Sequence, residues 1–97
     1  MSLNRYAARR DANEGDIIDG LRRAGFRVHQ LSQPLDLLVW PKAGGRFGLI
    51  EVKDPKQIPS KRRLKPSQQT FFAESEGCPR IKAESFEQAL RFAESLR

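Results

Sequence analysis

The chain has few of the residues that most often build metal, redox or hydrolytic centres. Cys78 is the single cysteine and His29 the single histidine among 97 residues. A disulfide framework and a cysteine zinc site are therefore excluded, and Ser-His or Cys-His catalysis is disfavoured. No stretch approaches the roughly 18 apolar residues of a membrane span, and the first residues lack the apolar core of a signal peptide. These absences predict a cytoplasmic protein that makes no membrane contact.

Positive charge, by contrast, is abundant. Lysine and arginine number 18 against 12 acidic residues, which gives a formal net charge of +6. Such a surface attracts polyanions, most often DNA or RNA, although a merely soluble basic protein has the same composition. The length allows one hydrophobic core. We expect a basic and partly mobile N-terminal segment over residues 1–11 and a single domain over residues 12–97.

A first helix is indicated by side-chain spacing and by both of its ends. Ile17, Ile18 and Leu21 recur at the spacing of one helix face. Asn13 suits the N-cap, and Gly25 suits the position just after the last turn. We therefore expect a helix between these two residues.

The rest of the chain alternates strand-like and helix-like segments. The predicted strands, an antiparallel meander, cover residues 26–31, 36–40 and 46–53. The remaining elements are a loop over 54–65, a helix over 66–75, a strand over 80–83 and a helix that opens at residue 85. Trp40 is interpreted as a core residue, with base stacking as the alternative, and Phe71 and Phe72 are expected to be buried. The predicted class is α/β, with a mixed central sheet flanked by helices.

Two charged residues end the third predicted strand. Because a strand alternates its faces, Glu51 and Lys53 project together, while Ile50 and Val52 point the other way. Buried charges at the end of an apolar strand cost desolvation free energy, so they are expected to be paired with each other or to have a functional role. An ion pair at a sheet edge is the simple explanation. The alternative is chemical, because an acid and a lysine can together orient a water and neutralise phosphoryl charge.

Two further acids bear on that alternative. Asp36 precedes a Gly-rich turn and can therefore meet Glu51 at one end of a hairpin, although it also suits a turn after Pro34. Two carboxylates with a backbone carbonyl and waters suit Mg²⁺, which can polarise a phosphate and acidify water. Glu14 lies on the apolar face of the first helix, where it is either a partner of the helix dipole or part of a site.

With these residues in this order, the chain resembles the PD-(D/E)XK nuclease superfamily and, within it, the small VRR-NUC (virus-type replication-repair nuclease) domains of phages and prophages. The resemblance runs from about Arg9 to Leu96. It rests on seven segments, which are residues 11–14, 25–28, 36–39, 49–54, 59–60, 64–68 and 85–90. One departure is Leu35, which separates Pro34 from Asp36 where the family has Pro directly before its Asp. Another is Lys65, where Thr is common.

The resemblance implies a restriction-endonuclease-like fold of αβββαβα order and a nuclease site. It implies that Asp36, Glu51 and the Val52 carbonyl bind Mg²⁺, with Mn²⁺ able to substitute, and that Lys53 is the catalytic lysine. Glu14, as a metal ligand through water, and Gln68 are implied to complete the site.

These expectations define a Mg²⁺-dependent, structure-selective DNA endonuclease that hydrolyses phosphodiester bonds in branched or flapped DNA, as a Holliday-junction resolvase does. A homodimer is expected, since cutting two strands needs two sites. The basic segment after Glu51 is either a contact for the phosphate backbone or a solvated loop, and its cations are Lys56, Lys61, Arg62, Arg63 and Lys65. The alternatives are a catalytically silent DNA-binding module of the same fold and an RNA-binding protein.

Overall fold

The computed structural model of this chain describes residues 11–97. The predicted N-terminal segment, apart from Asp11, lies outside the described residues. The elements in order are α1 (Glu14–Arg23), β1 (Phe26–Gln30), β2 (Leu37–Pro41), β3 (Gly48–Val52), α2 (Pro59–Arg62), α3 (Pro66–Glu74), β4 (Arg80–Ala83) and α4 (Phe86–Glu94). This order confirms the predicted one except for α2, which begins at Pro59 inside the segment expected to be a loop. None of these helices is long and apolar enough to cross a membrane.

The four strands form one mixed sheet in the order β1-β2-β3-β4. The pairs β1–β2 and β2–β3 are antiparallel, as the meander predicted, and β4 runs parallel to β3. In the β2–β3 pair, Leu37 lies opposite Ile50 and Leu38 opposite Leu49. This register places Asp36, the residue before β2, beside Glu51.

The hydrophobic core lies on one face of the sheet. Helices α1 and α4 pack against each other, α1 also contacts β1, and α4 also contacts β2 and β4. Because strand side chains alternate, Ile50 and Val52 enter this core while Glu51 points to the opposite face. That opposite face carries α3, whose Gln68 contacts Glu51.

The structure corrects three expectations about individual side chains. Trp40 is not a core residue; it is half-buried, and it lies on the face opposite the core because it alternates with Val39. Phe71 and Phe72 are half-buried rather than buried, since α3 is covered on one side only. Asn13 makes no side-chain cap to α1. Its Nδ2 instead donates to the carbonyls of Lys53, at 3.2 Å, and Glu84, at 3.3 Å.

Gly48 is the point where β3 passes directly beneath α4. A Cβ added there would lie 2.8 Å from a Phe92 ring carbon and 2.9 Å from Leu96 Cδ1. We expect Gly48→Ala to lower the free energy of unfolding by about 1–3 kcal/mol, because the core cannot accept the extra methyl without shifting. Urea denaturation measures this change.

Gly15→Ala is the matched control for that substitution. A Cβ at Gly15 meets nothing within 4 Å, and the residue lies in α1. Alanine should there raise the free energy of unfolding by up to about 1 kcal/mol through helix propensity. Equal effects of the two substitutions would contradict the close approach of α4 to β3.

Candidate active site

A cleft of about 690 Å³ opens on the sheet face opposite the core. Four residues predicted as catalytic line it, and they are Asp36, Glu51, Lys53 and Gln68. Three residues predicted to bind DNA also line it, namely Lys61, Arg63 and Lys65. The other lining residues are Asp11, Leu31, Ser32, Gln57 and Ser60. The fold therefore brings together most of the residues that the sequence motifs had singled out.

Backbone hydrogen bonds hold Asp36 beside Glu51. The Asp36 amide donates to the Ile50 carbonyl at 3.1 Å, and the Val52 amide donates to Asp36 Oδ2 at 2.8 Å. In an extended strand the N–H and C=O of one residue face the same neighbouring strand. The Val52 carbonyl therefore faces the Asp36 side of β3. The two carboxylates and this carbonyl are the groups that the resemblance implied as metal ligands.

The Leu35 departure from the family motif leaves this arrangement intact. Leu35 is only 1% exposed, so the extra residue is accommodated by burial of its side chain. Asp36 still begins the pairing of β2 with β3.

Lys53 and Gln68 close a ring of contacts around Glu51. Lys53 Nζ lies 3.3 Å from Glu51 Oε2 and donates to Gln68 Oε1 at 3.2 Å. Gln68 Nε2 donates to Glu51 Oε2 at 2.8 Å. The start of α3 fixes Gln68, because its Oε1 also accepts from the Lys65 amide at 2.9 Å. These contacts orient one oxygen of Glu51 and leave the other for a ligand.

The backbone of Lys53 is also fixed from both neighbouring elements. Its amide donates to the Ala83 carbonyl at 3.0 Å, which extends the β3–β4 pairing past the end of β3. Its carbonyl accepts from Asn13 Nδ2. The lysine is 6% exposed, so its ammonium is confined near Glu51 rather than free in solvent.

Glu51 is electrostatically unfavourable as a carboxylate in this position. It is 4% exposed, and burial, followed by the nearby charge of Asp36, raises the pKa of Glu51 to about 7. Among the described residues no hydrogen-bond partner reaches its buried Oε1. A divalent cation between Asp36 and Glu51 would relieve both features.

The donor set fits Mg²⁺ or Mn²⁺ better than it fits a softer metal. Within residues 11–97 there is no group of three or more His, Cys, Asp or Glu side chains arranged to hold a metal ion. Mg²⁺ needs no such group, because it binds one or two carboxylates and keeps several waters. Asp36, Glu51 and the Val52 carbonyl would be its protein ligands.

Asp11 is a residue of the cleft that the sequence did not identify. Burial and then the charge of Asp36 raise the pKa of the Asp11 carboxyl. Its carbonyl accepts from the Glu14 amide at 3.0 Å, in the turn before α1. In the sequence, Asp11 belongs to the segment that opens the first helix, and its spacing from Asp36 does not indicate that the two acids are close. Only the packing of the α1 start beside β3 brings the two acids near each other.

Four predicted site residues do not line the cleft, and they are Glu14, Val52, Lys56 and Arg62. Glu14 is 2% exposed, and its Oε2 accepts from Gln30 Nε2 at 3.1 Å. Arg62 is half-buried, and its carbonyl accepts from Lys82 Nζ. Lys56 is exposed, in the turn after Asp54. Their roles in metal or DNA binding stay predictions.

Comparisons of the chain with protein-family models, with curated proteins and with solved structures found no match. The resemblance to VRR-NUC domains therefore rests on the sequence motifs alone.

The raised pKa of Glu51 predicts a specific pH dependence of stability. The folded chain binds the Glu51 proton more tightly than the unfolded chain, so the free energy of unfolding falls as the pH rises from about 4.5 to about 7. Glu51→Gln has no such proton. The stability of the wild type relative to Glu51→Gln should fall by about 1–3 kcal/mol over that range, as urea denaturation at each pH will show.

Two controls accompany this titration. Glu76→Gln, at an exposed position after α3, should keep the wild-type slope. Millimolar Mg²⁺ should raise the stability of the wild type at pH 8 and leave Glu51→Gln unchanged, because only the wild type offers both carboxylates. A wild-type slope that persists in Glu51→Gln would show that another group is responsible.

Proposed function

We propose that this chain is a divalent-metal-dependent DNA endonuclease that hydrolyses phosphodiester bonds, with a restriction-endonuclease-like fold of the VRR-NUC kind. The main support is the set of mutual contacts among Glu51, Lys53 and Gln68. These side chains lie beside Asp36 in a cleft that is also lined by cations. A cation between Asp36 and Glu51 would satisfy the second Glu51 oxygen, as a proton shared by the two carboxylates does when Glu51 is protonated.

Each residue of the ring has a definite part in the proposed hydrolysis. Asp36 and Glu51 would hold Mg²⁺, and the bound ion would supply polarisation of a phosphoryl oxygen and acidification of a water. Lys53 Nζ orients the attacking water or neutralises negative charge that develops on the phosphate. Gln68 holds Lys53 and Glu51 in their relative positions.

The cations of the cleft support DNA as the substrate. Lys61, Arg63 and Lys65 line the cleft together with the acids, and the chain carries a net charge of +6. Such cations hold phosphates without reading bases. Structure-selective cleavage of branched or flapped DNA follows as the proposed specificity. A two-fold homodimer would present two clefts to two strands.

A cleavage assay on purified protein tests the proposed activity. Nicked, flapped and four-way-junction DNA are incubated with Mg²⁺ or Mn²⁺. The wild type should cut at least one of them, and Asp36→Asn, Glu51→Gln and Lys53→Met should each lose at least about 100-fold in rate.

Glu76→Gln serves as the control and should cleave at the wild-type rate. Cleavage unchanged in Glu51→Gln would exclude the cleft as the active site. Salt-dependent binding by the wild type without cleavage would favour a silent DNA-binding module instead.

Single cation substitutions test the path of the DNA. Arg63 lines the cleft, whereas Arg91 is an exposed arginine on α4, a helix that packs on the opposite face of the sheet. Arg63→Ala should weaken duplex binding and reduce the salt slope by about 1, while Arg91→Ala, with the same loss of charge, should change neither. Fluorescence anisotropy at several salt concentrations in EDTA measures both. Equal slopes for the two variants would place the DNA elsewhere.

A further inference from the structure

Three aromatic rings form a continuous group on the sheet. His29 and Trp40 stack with their ring centroids 5.3 Å apart and an angle of 18° between the rings. Phe47 meets Trp40 edge to face, with centroids 5.1 Å apart. We call these three residues the aromatic shelf. No part of the proposed hydrolysis uses it.

The aromatic shelf lies on the same sheet face as the cleft. Residues opposite each other in a strand pair share a face, and side chains alternate along each strand. On β2, Trp40 therefore shares its face with Leu38 and Asp36, and on β3 the same face carries Leu49 and Glu51. Phe47 precedes Glu51 by four residues, which is about 13 Å along an extended chain. A few nucleotides span this distance.

The exposure of the shelf argues against a purely structural role. Phe47 is 62% exposed, far above the core residues on the other face. Trp40 is half-buried and His29 is exposed. Large aromatic side chains normally contribute to stability by being buried. The Phe47 ring, left in solvent beside a proposed active site, is available for a ligand with flat faces.

The charge around the shelf identifies the kind of ligand. Arg27 lies opposite Trp40 in the β1–β2 pair. Residues 26–30 and 37–47 contain Arg27, Lys42 and Arg46 and no acid. All three cations are exposed, and the Arg46 guanidinium also donates to the Ser95 carbonyl. Aromatic rings with interspersed cations are the usual platform for single-stranded nucleic acid.

We infer that the aromatic shelf stacks unpaired bases of a DNA strand whose backbone passes through the cleft. This inference rests on the proposed function for the identity of the polymer. It adds that the bound DNA has a single-stranded stretch within a few nucleotides of the scissile phosphate. Flapped and branched substrates have such stretches, and intact duplex has none.

Trp40 supplies a direct probe, because it is the only tryptophan of the chain. Binding is measured in EDTA, so that no cleavage is needed for the readout. Unlabelled oligo-dT should quench the Trp40 fluorescence saturably, since a base stacked on Phe47 lies close to the Trp40 ring. A blunt duplex of the same length should cause little quenching.

Substitutions at Phe47 separate stacking from general apolar contact. Phe47→Leu keeps an apolar side chain but removes the ring, and we expect it to weaken binding of labelled oligo-dT roughly ten-fold or more. Phe47→Tyr keeps the ring and should bind within about two-fold of wild type. Duplex binding should be the same for all three proteins. Thermal unfolding verifies that both variants are folded.

Three results would overturn the inference. They are absence of quenching by oligo-dT, equal oligo-dT affinity of Phe47→Leu and wild type, and a wild-type dimer that Phe47→Leu converts to monomer. The last, seen by sedimentation, would make the shelf an interface between copies of this chain. Quenching of Trp40 by oligo-dT without any DNA cleavage would support base stacking on the aromatic shelf and contradict the proposed nuclease activity. DNA cleavage together with an unchanged oligo-dT affinity of Phe47→Leu would support the nuclease activity and contradict the stacking.

Discussion

The juxtaposition of two carboxylates at the end of the β2–β3 pair is the constraint on which the rest of the site depends. The register of the two strands places Asp36 beside Glu51, and the Val52 amide fixes Asp36 there. Burial of like charges is unfavourable, as the pKa of about 7 for Glu51 shows. Lys53 and Gln68 offset part of this cost at one Glu51 oxygen. The other oxygen stays without a partner among the described residues, and a cation is what would complete it.

The sheet separates stability from the proposed chemistry. Its one face is packed by α1 and α4 and supplies the core. Its other face carries the acids, the lysine, the cations of the cleft and the aromatic shelf. The period of two along each strand makes this division possible, because neighbouring residues such as Ile50 and Glu51 serve opposite faces. Substitutions on the cleft face can therefore alter binding with limited effect on the core.

Element order and strand faces were predictable because they depend on local patterns. The apolar spacing of α1, the glycine after it and the alternation of β3 are local, and the structure confirms all three. Other predictions were wrong because tertiary contacts overrode them. Asn13 bridges Lys53 and Glu84 instead of capping its helix, and Trp40 lies outside the core because the β2 register turns it to the other face. An apolar run in the sequence does not distinguish a buried ring from a half-exposed one.

Sequence by itself determined that Glu51 and Lys53 share a face and that Asp36 precedes a strand that can pair with theirs. It also determined that a basic segment comes directly after the strand that contains Glu51. These are consequences of chain geometry over a few residues. Tertiary structure alone decided that Asp11 joins the cleft, that Glu14 contacts Gln30 instead of lining it, and that the aromatic rings form one partly exposed group. Each of these depends on how distant segments pack, and that packing is set by the burial of the whole core rather than by any local spacing.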